Sequence, residues 1–358
     1  MSKPEFLQYG GLAVMEGVMM RSPRYYAVAC RAPSGEIVLH QDEVPGGGVY
    51  GKPWYKVPVL RGALAIWDML FLGIRALNFS AKVQLGEVKP SPSEGWEARD
   101  GAGEGAKRGV TSPEGSQVVF LKPQADSFGT KAAIGGALVA GLAVAVLLFV
   151  VGPTWIAEAF RFLGVRGSVA LNWIEGLVKV LIFLSYIGLL GLVKDIREVY
   201  KYHGAEHKTI NALEAEAPLT LESVRQQSRL HPRCGTSFAI VVLVLLVFCS
   251  AFLPRDYGTG VLALDLTLRV LAKLLLVPII GGVVYEVIRW AGRLRKNALF
   301  RALVWPGMQT QYLTTREPED SQLEVALVAL RAVLDREAEF YRATAEAREI
   351  PEQVPSDV

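Results

Sequence analysis

Cysteine is scarce: Cys30, Cys234 and Cys249 are the only three in 358 residues. An odd number at wide spacing excludes a disulfide framework and suits a reducing compartment. A large charge excess is also missing, because 38 Lys and Arg face 35 Asp and Glu, for a formal net charge of +3. That balance implies no global attraction to nucleic acid, so none is an expected partner. The N-terminal MSKPEFLQYGG lacks the apolar core of a cleavable signal peptide, and the start of the chain is expected to stay in the cytoplasm. Polar residues are few as well. With 51% hydrophobic residues and a mean hydropathy of +0.29, the composition does not fit an ordinary soluble protein.

What is present instead is a set of long apolar runs. Residues 132–152 carry no charge and are long enough to cross a ~30 Å hydrocarbon core. Further spans are expected at 169–193, 236–253 and about 261–290, with residues 153–168 a short amphipathic connection. Glu175 and Lys179 sit four apart within the second span and can pair on one helix face. Asp265, Arg269 and Lys273 line one face of the last. Four spans put both termini on the side of the 194–235 loop. Arg197, Lys201, Lys208, Arg225, Arg229 and Arg233 fall in that loop, and Arg289, Arg293, Arg295 and Lys296 follow at the end of the last span. This bias marks that side as cytoplasmic. The expected fold is therefore a mainly α integral membrane protein, a four-span helical bundle over residues 132–291, multi-pass with both termini cytoplasmic, with the lipid bilayer as partner.

The flanking segments read differently. Residues 1–59 form a small cytoplasmic β-rich N-terminal unit in which 25–31 is strand-like, 33–35 a turn and 36–39 the return strand, with His40 at the surface. Ahead of it, GGLAVMEGVMMR holds Met15, Met19 and Met20, which suit core packing, and Glu16, a carboxylate among apolar neighbours that needs a partner. Residues 60–81 predict a helix with Arg61, Asp68 and Arg75 on one polar stripe, lying on the membrane surface or packed on the β unit. Residues 86–129 are rich in Gly, Ser, Pro, Glu and Lys and read as a disordered linker. In the C-terminal segment 292–358, residues 305–318 read as irregular or short strand. A cytoplasmic helix follows from about 319 to 348, with fraying beyond it.

The chemistry centres on YHGAEHK, residues 202–208. His203 and His207 are four apart, so both imidazoles leave one helix face with Glu206 beside them. Two such imidazoles can bind a divalent ion, zinc above all, and the adjacent carboxylate can take a proton from water. Topology brings HPRCG, with His231 and Cys234, to the same interface just before the third span. Glu286 approaches it from the fourth. A closed structural site would use His203, His207, His231 and Cys234; an open catalytic one would use His203 and His207 with His231 or Glu286, and Glu206 as base. Against a metal, interfacial histidines can instead bond backbone or headgroups, and Glu286 can pair with Arg289.

The segments GGLAVMEGVMMR, YHGAEHKTINALE, HPRCGTSF, YEVIRW and LTTREPEDSQLEVAL together resemble the bacterial YqhQ-like family of membrane proteins, commonly labelled predicted metal-dependent enzymes. The resemblance runs from near residue 10 to about 330. It singles out Glu16, Arg21, His203, Glu206, His207, His231, Cys234, Glu286 and residues 314–317. The expectation is a cytoplasm-facing metal-dependent membrane enzyme, a hydrolase of a membrane-associated substrate, with Glu206 and Glu16 as candidate catalytic groups. Arg21 or Arg233 could hold an anionic group. The alternative is a non-catalytic scaffold or assembly factor with a structural metal site and a partner protein. A transporter ranks third, because no pair of Gly/Pro-broken spans in matching halves suggests a midplane site.

Overall fold

Apolar residues on both faces of residues 10–43 predict strands buried on two sides, and the computed structural model has them so. It describes residues 9–45, 53–90, 110–111, 116–123, 128–294 and 298–349. Strands β1 (Gly10–Val14), β2 (Gly17–Arg21), β3 (Tyr25–Arg31) and β4 (Ile37–Glu43) form an antiparallel meander. Three more strands, β5 (Val88–Pro90), β6 (Val110–Thr111) and β7 (Gln117–Pro123), extend the sheet. Of these, β7 pairs parallel to β4, while β5 and β6 pair antiparallel to β7. The strand period of two sends Met20 and Val18 to one face and Met19 to the other. Both methionines are fully buried, each contributing roughly 1.5–3 kcal/mol of apolar burial.

Helix α1 (Leu60–Gln84) covers the face that carries Met19, Val28 and Val38. Next come α2 (Phe128–Val146), a π-helical turn (Leu147–Val151) and α3 (Gly152–Phe162), which run on as one long helix. They are followed by α4 (Ser168–Leu190), α5 (Lys194–Glu214), the short α6 (Leu221–Arg225), α7 (Gly235–Ser250), α8 (Leu262–Leu294), α9 (Ala298–Thr314) and α10 (Asp320–Glu349). The second face of the sheet, with Val18, Ala29 and Leu39, packs on α5 and α10. This makes a mostly helical molecule with an N-terminal sheet held between helices.

Among the described residues, three helices are long and apolar enough to cross a membrane: Gly135–Phe162, Ser168–Leu190 and Leu264–Val287, of 28, 23 and 24 residues. Helix α7 is equally apolar but has only 16 residues. Leu177, Leu181, Leu274 and Leu275 point outward, which reverses the polarity of a soluble helix.

Two residues of the α1 polar stripe, Arg61 and Asp68, face inward, while Arg75 is exposed over the Phe71 ring. Arg21 donates to Asp68 at 3.0 Å, and Arg61 binds Glu286 of α8. Trp67, Leu70, Phe71, Ile74 and Leu77 are left exposed on the outside, with Trp67 at 70%. The two helices touch at glycines: a Cβ on Gly62 would lie 2.9 Å from the Cα of Gly282.

Several expectations need correction. The proposed linker 86–129 contains β5, β6 and β7, whose backbones complete the sheet beside β4; the rest of it lies outside the described residues, as does the fraying expected after residue 349. Residues 305–314, read as irregular, belong to α9, which accommodates Pro306 within the helix. The 153–168 connection is helical as far as Phe162. His40 is not at the surface: it is 8% exposed, with its ring 5.2 Å from that of Phe79. Of the methionines, Met15 is exposed at the turn between β1 and β2.

Candidate metal centre

The motif at residues 202–208, in the middle of α5, includes a glycine, a residue that costs about 1 kcal/mol in a helix interior relative to alanine. The reason lies in packing. A Cβ at Gly204 would overlap the carbonyl oxygen of Arg316, because the chain leaving α9 runs directly over α5. The Arg316 N–H donates to the Tyr200 carbonyl at 2.8 Å, and Lys208 reaches Glu317 at 2.6 Å. This crossing places the Thr314 carbonyl 2.9 Å from Nδ1 of His203.

A carbonyl can only accept, so Nδ1 of His203 carries a proton. The same argument holds for His207, whose Nδ1 donates to the Arg229 carbonyl at 2.6 Å. Both Nε2 atoms are therefore turned toward a common point. Nε2 of His203 lies 3.2 Å from Sγ of Cys234. Nε2 of His207 is buried without a hydrogen-bond partner, its nearest carboxylate oxygen being Oε2 of Glu206 at 3.5 Å. The ligand atoms of His203, His207 and Cys234 lie within 4.8 Å of one another. Zinc with bonds of ~2.0–2.3 Å needs only a modest contraction of such a set.

Cys234 reaches this point because it is the N-cap of α7. Its extended backbone lets Sγ accept from the Thr236 N–H at 3.4 Å. The preceding turn is clamped by fully buried Gln311 of α9. That amide accepts from the His231 N–H at 2.8 Å and donates to the His231 carbonyl at 2.7 Å and to Ser237 at 2.6 Å.

The electrostatics follow from this packing. Burial opposes ionisation of the Cys234 thiol, but the imidazoles of His203 and His207 outweigh it and hold the thiol well below its usual value. Burial likewise lowers His207, while Cys234 and Glu206 raise it to a net value of about 9. His203 is raised too, with Cys234 again working against burial. In the ion-free cluster the imidazoles favour a thiolate and the thiolate favours protonated imidazoles, and a metal ion would take the place of those protons.

Two expected ligands are directed elsewhere. Nε2 of His231 lies 3.1 Å from Oε1 of Glu214, which also binds Arg233, although the His231 ring is only 5.8 Å from that of His207. Glu286 belongs to the junction of α1 and α8, where its carboxylate accepts from Nε of Arg61 at 2.6 Å. The side chain of Arg289 lies outside the described residues. Burying an arginine against a carboxylate at a helix crossing satisfies both groups without a metal.

Glu206 is 6% exposed and lies against β1. A Cβ at Gly11 would approach its Cγ to 2.5 Å and its Oε1 to 2.8 Å, so Gly11 leaves the room this carboxylate occupies. Glu16 is not among the ligand atoms. It forms the turn between β1 and β2 with φ of 50°, and its Oε2 accepts from the Tyr202 hydroxyl at 3.3 Å. Burial and Glu16 push the Tyr202 phenol up, which keeps it a donor. Arg21, the other basic candidate, is bound to Asp68.

Sequence reasoning missed Gln311, Glu214 and the carbonyls of Thr314 and Arg229. Backbone acceptors leave no trace in side-chain pattern, and a glutamine in QTQYLTT carries no distinguishing spacing. Only Gly204, an otherwise costly helix residue, hinted at a close backbone crossing.

The protein family described as "Protein of unknown function (DUF1385)" matches residues 57–336. The chain is 32% identical over 333 residues to "Uncharacterized protein YqhQ" of Bacillus subtilis (strain 168), covering 92% of this chain and 93% of that protein. No solved structure matches the chain.

Proposed function

The chain belongs to the YqhQ-like family that these matches define, and from its own site we propose that it is a metal-dependent hydrolase of the cytoplasmic membrane, acting on a membrane-associated substrate. The observation that carries this reading is the disposition of four groups. His203, His207 and Cys234 converge, while His231 turns away to Glu214 and Glu206 stands beside the cluster. Three protein ligands with a carboxylate next to the remaining position is the arrangement of an open rather than a closed site. A bound zinc-type ion would supply Lewis acidity there. The carbonyls of Thr314 and Arg229 orient the imidazoles, the α7 N-terminus favours the thiolate, and Glu206 takes the proton of the attacking water.

The position at a membrane is supported by the three candidate spans and by the exposed apolar face of α1, which suits an interfacial helix whose Arg61 and Asp68 are already paired within the protein. Counting α7 as a fourth span puts both termini with the metal centre. The Lys and Arg of residues 194–235 and 289–296 support that side as cytoplasmic.

One observation favours a second reading, a non-catalytic scaffold. The cluster joins α5 to the start of α7 and, through Thr314, to the end of α9, so an ion there would pin three helices. The test is metal content of the purified full-length protein by mass spectrometry for wild type, His207→Ala and Glu206→Gln, with cellular complementation of a deletion strain. The hydrolase reading expects one ion in wild type, none in His207→Ala, and in Glu206→Gln a retained ion with lost complementation. Glu206→Gln that complements fully would favour the scaffold, and a metal-free wild type would sink both.

A further inference from the structure

At the end of the helical bundle opposite the metal centre, two carboxylates are shared among five cations. Glu175 of α4, with a side chain 2% exposed, is met by Nζ of Lys179 at 2.8 Å, Nζ of Lys273 at 2.5 Å, Nη1 of Arg255 at 3.4 Å, and Arg269. Glu158 of α3 takes Arg255 at 2.5 Å, Arg161 at 2.9 Å and Arg269 at 4.0 Å. Asp265, one turn before Arg269, is engaged by its own loop, accepting from the Thr259 hydroxyl at 2.9 Å and the Tyr257 N–H at 3.2 Å. The cluster is thus cationic in sum. Nε of Arg255, on a side chain 2% exposed, is buried with no hydrogen-bond partner.

The cluster begins at Arg255, on the loop between α7 and α8, and reaches inward from that end of the bundle. Glu175 and Arg269 lie ~10 Å along their helices from Ser168 and Leu262, and Lys179 and Lys273 ~16 Å. Leu177 and Leu181 on α4, and Leu271 and Leu274 on α8, face outward at that level. Five cations sharing two carboxylates among apolar side chains leave a net charge that is costly unless a further anion joins them. The lysine side chains are 15% and 16% exposed, more than the 2% and 5% of Arg255 and Arg269, so they form the outer edge of the cluster.

We propose that this cluster binds a phosphate group, presented as the headgroup of an anionic lipid whose chains lie along the leucines of α4 and α8. Arg255, whose Nη1 also donates to Oδ1 of Asn172 at 2.8 Å while its Nε has no partner, and Arg269 carry planar forks, and the two lysines carry point charges, a combination suited to phosphate oxygens that join or displace these carboxylates. The proposal shares the membrane position of α4 and α8 with the reading above and is independent of the metal.

The test is binding to the full-length protein in detergent, using dioctanoyl phosphatidylglycerol, dioctanoyl phosphatidylcholine and inorganic phosphate as probes. Wild type should bind the glycerol lipid in preference to the choline lipid. Lys179→Gln and Lys273→Gln, at partly exposed positions, should each weaken binding about tenfold, the worth of one charge-assisted hydrogen bond. Glu175→Gln, which releases both lysines from their carboxylate, should bind at least as tightly as wild type. A cluster with only a structural role would not give these opposite signs. Displacement of the lipid by millimolar inorganic phosphate would support the phosphate site with the free anion as its occupant, and no displacement supports the lipid. Equal binding of the two lipids, or unchanged affinity in the lysine variants, overturns the proposal.

Discussion

Nε2 of His203 and Sγ of Cys234 lie 3.2 Å apart, although one belongs to α5 and the other caps α7. The contact is held from behind at both ends. The Thr314 carbonyl fixes the ring, and the Thr236 N–H holds the sulfur.

Replacing the sulfur should therefore remove the metal while leaving the fold recognisable. Cys234→Ser keeps an oxygen that can cap α7 but is a weaker ligand for a zinc-type ion. Its metal content is expected to fall to a small fraction of wild type, with less change in helicity than Cys234→Ala. Metal analysis beside circular dichroism checks both parts.

Metal affinity should rise with pH. His207 in the ion-free protein holds its second proton up to about 9, and the ion must displace that proton. Affinity is expected to increase from pH 6 to about 9 and then level off. Titration calorimetry in buffers of different ionisation enthalpy should detect the released protons; affinity that falls over this range would contradict the assignment of Nε2 as ligand.

Gly204→Ala tests the backbone crossing. In an isolated helix this change is favourable by about 1 kcal/mol. Here the added methyl overlaps the Arg316 carbonyl, so thermal stability should fall instead, by roughly 1–3 kcal/mol for an overpacked contact. The Thr314 carbonyl, two residues before Arg316, should shift with it and weaken metal binding.

Glu286→Gln separates the two roles considered for that residue. With Arg61 as its partner, the change should lower stability by about 1–3 kcal/mol. Metal content should stay at the wild-type value, whereas a third-ligand role for Glu286 predicts its loss.

The apolar face of α1 can be probed through Trp67, which is 70% exposed. In liposomes containing brominated lipid, the wild type should show more tryptophan quenching than Trp67→Ala. Equal quenching would place this face away from the bilayer.

Much of this architecture was legible beforehand because it depends on local pattern. The apolar runs at α4 and α8, the β3–β4 hairpin and the long C-terminal helix each declare themselves through composition and period. The pair His203 and His207 needed only the helical repeat. Strands β6 and β7 could not be placed that way, since β7 pairs with β4, far off in sequence. Residues 305–314 misled because Pro306 and Gly307 weigh against a helix locally, while the packing of Gly307 on Ser237 favours one.

The sequence by itself determined that two imidazoles would share a helix face near a cysteine at a helix start, since spacing and polarity set these. Tertiary structure alone decided which groups join them. His231 and Glu286 also carry atoms able to hold a metal ion, but a nearby Glu214 and Arg61 satisfy them first. A buried ionisable group takes the partner that packing brings within hydrogen-bond reach, and that partner is written in no local pattern.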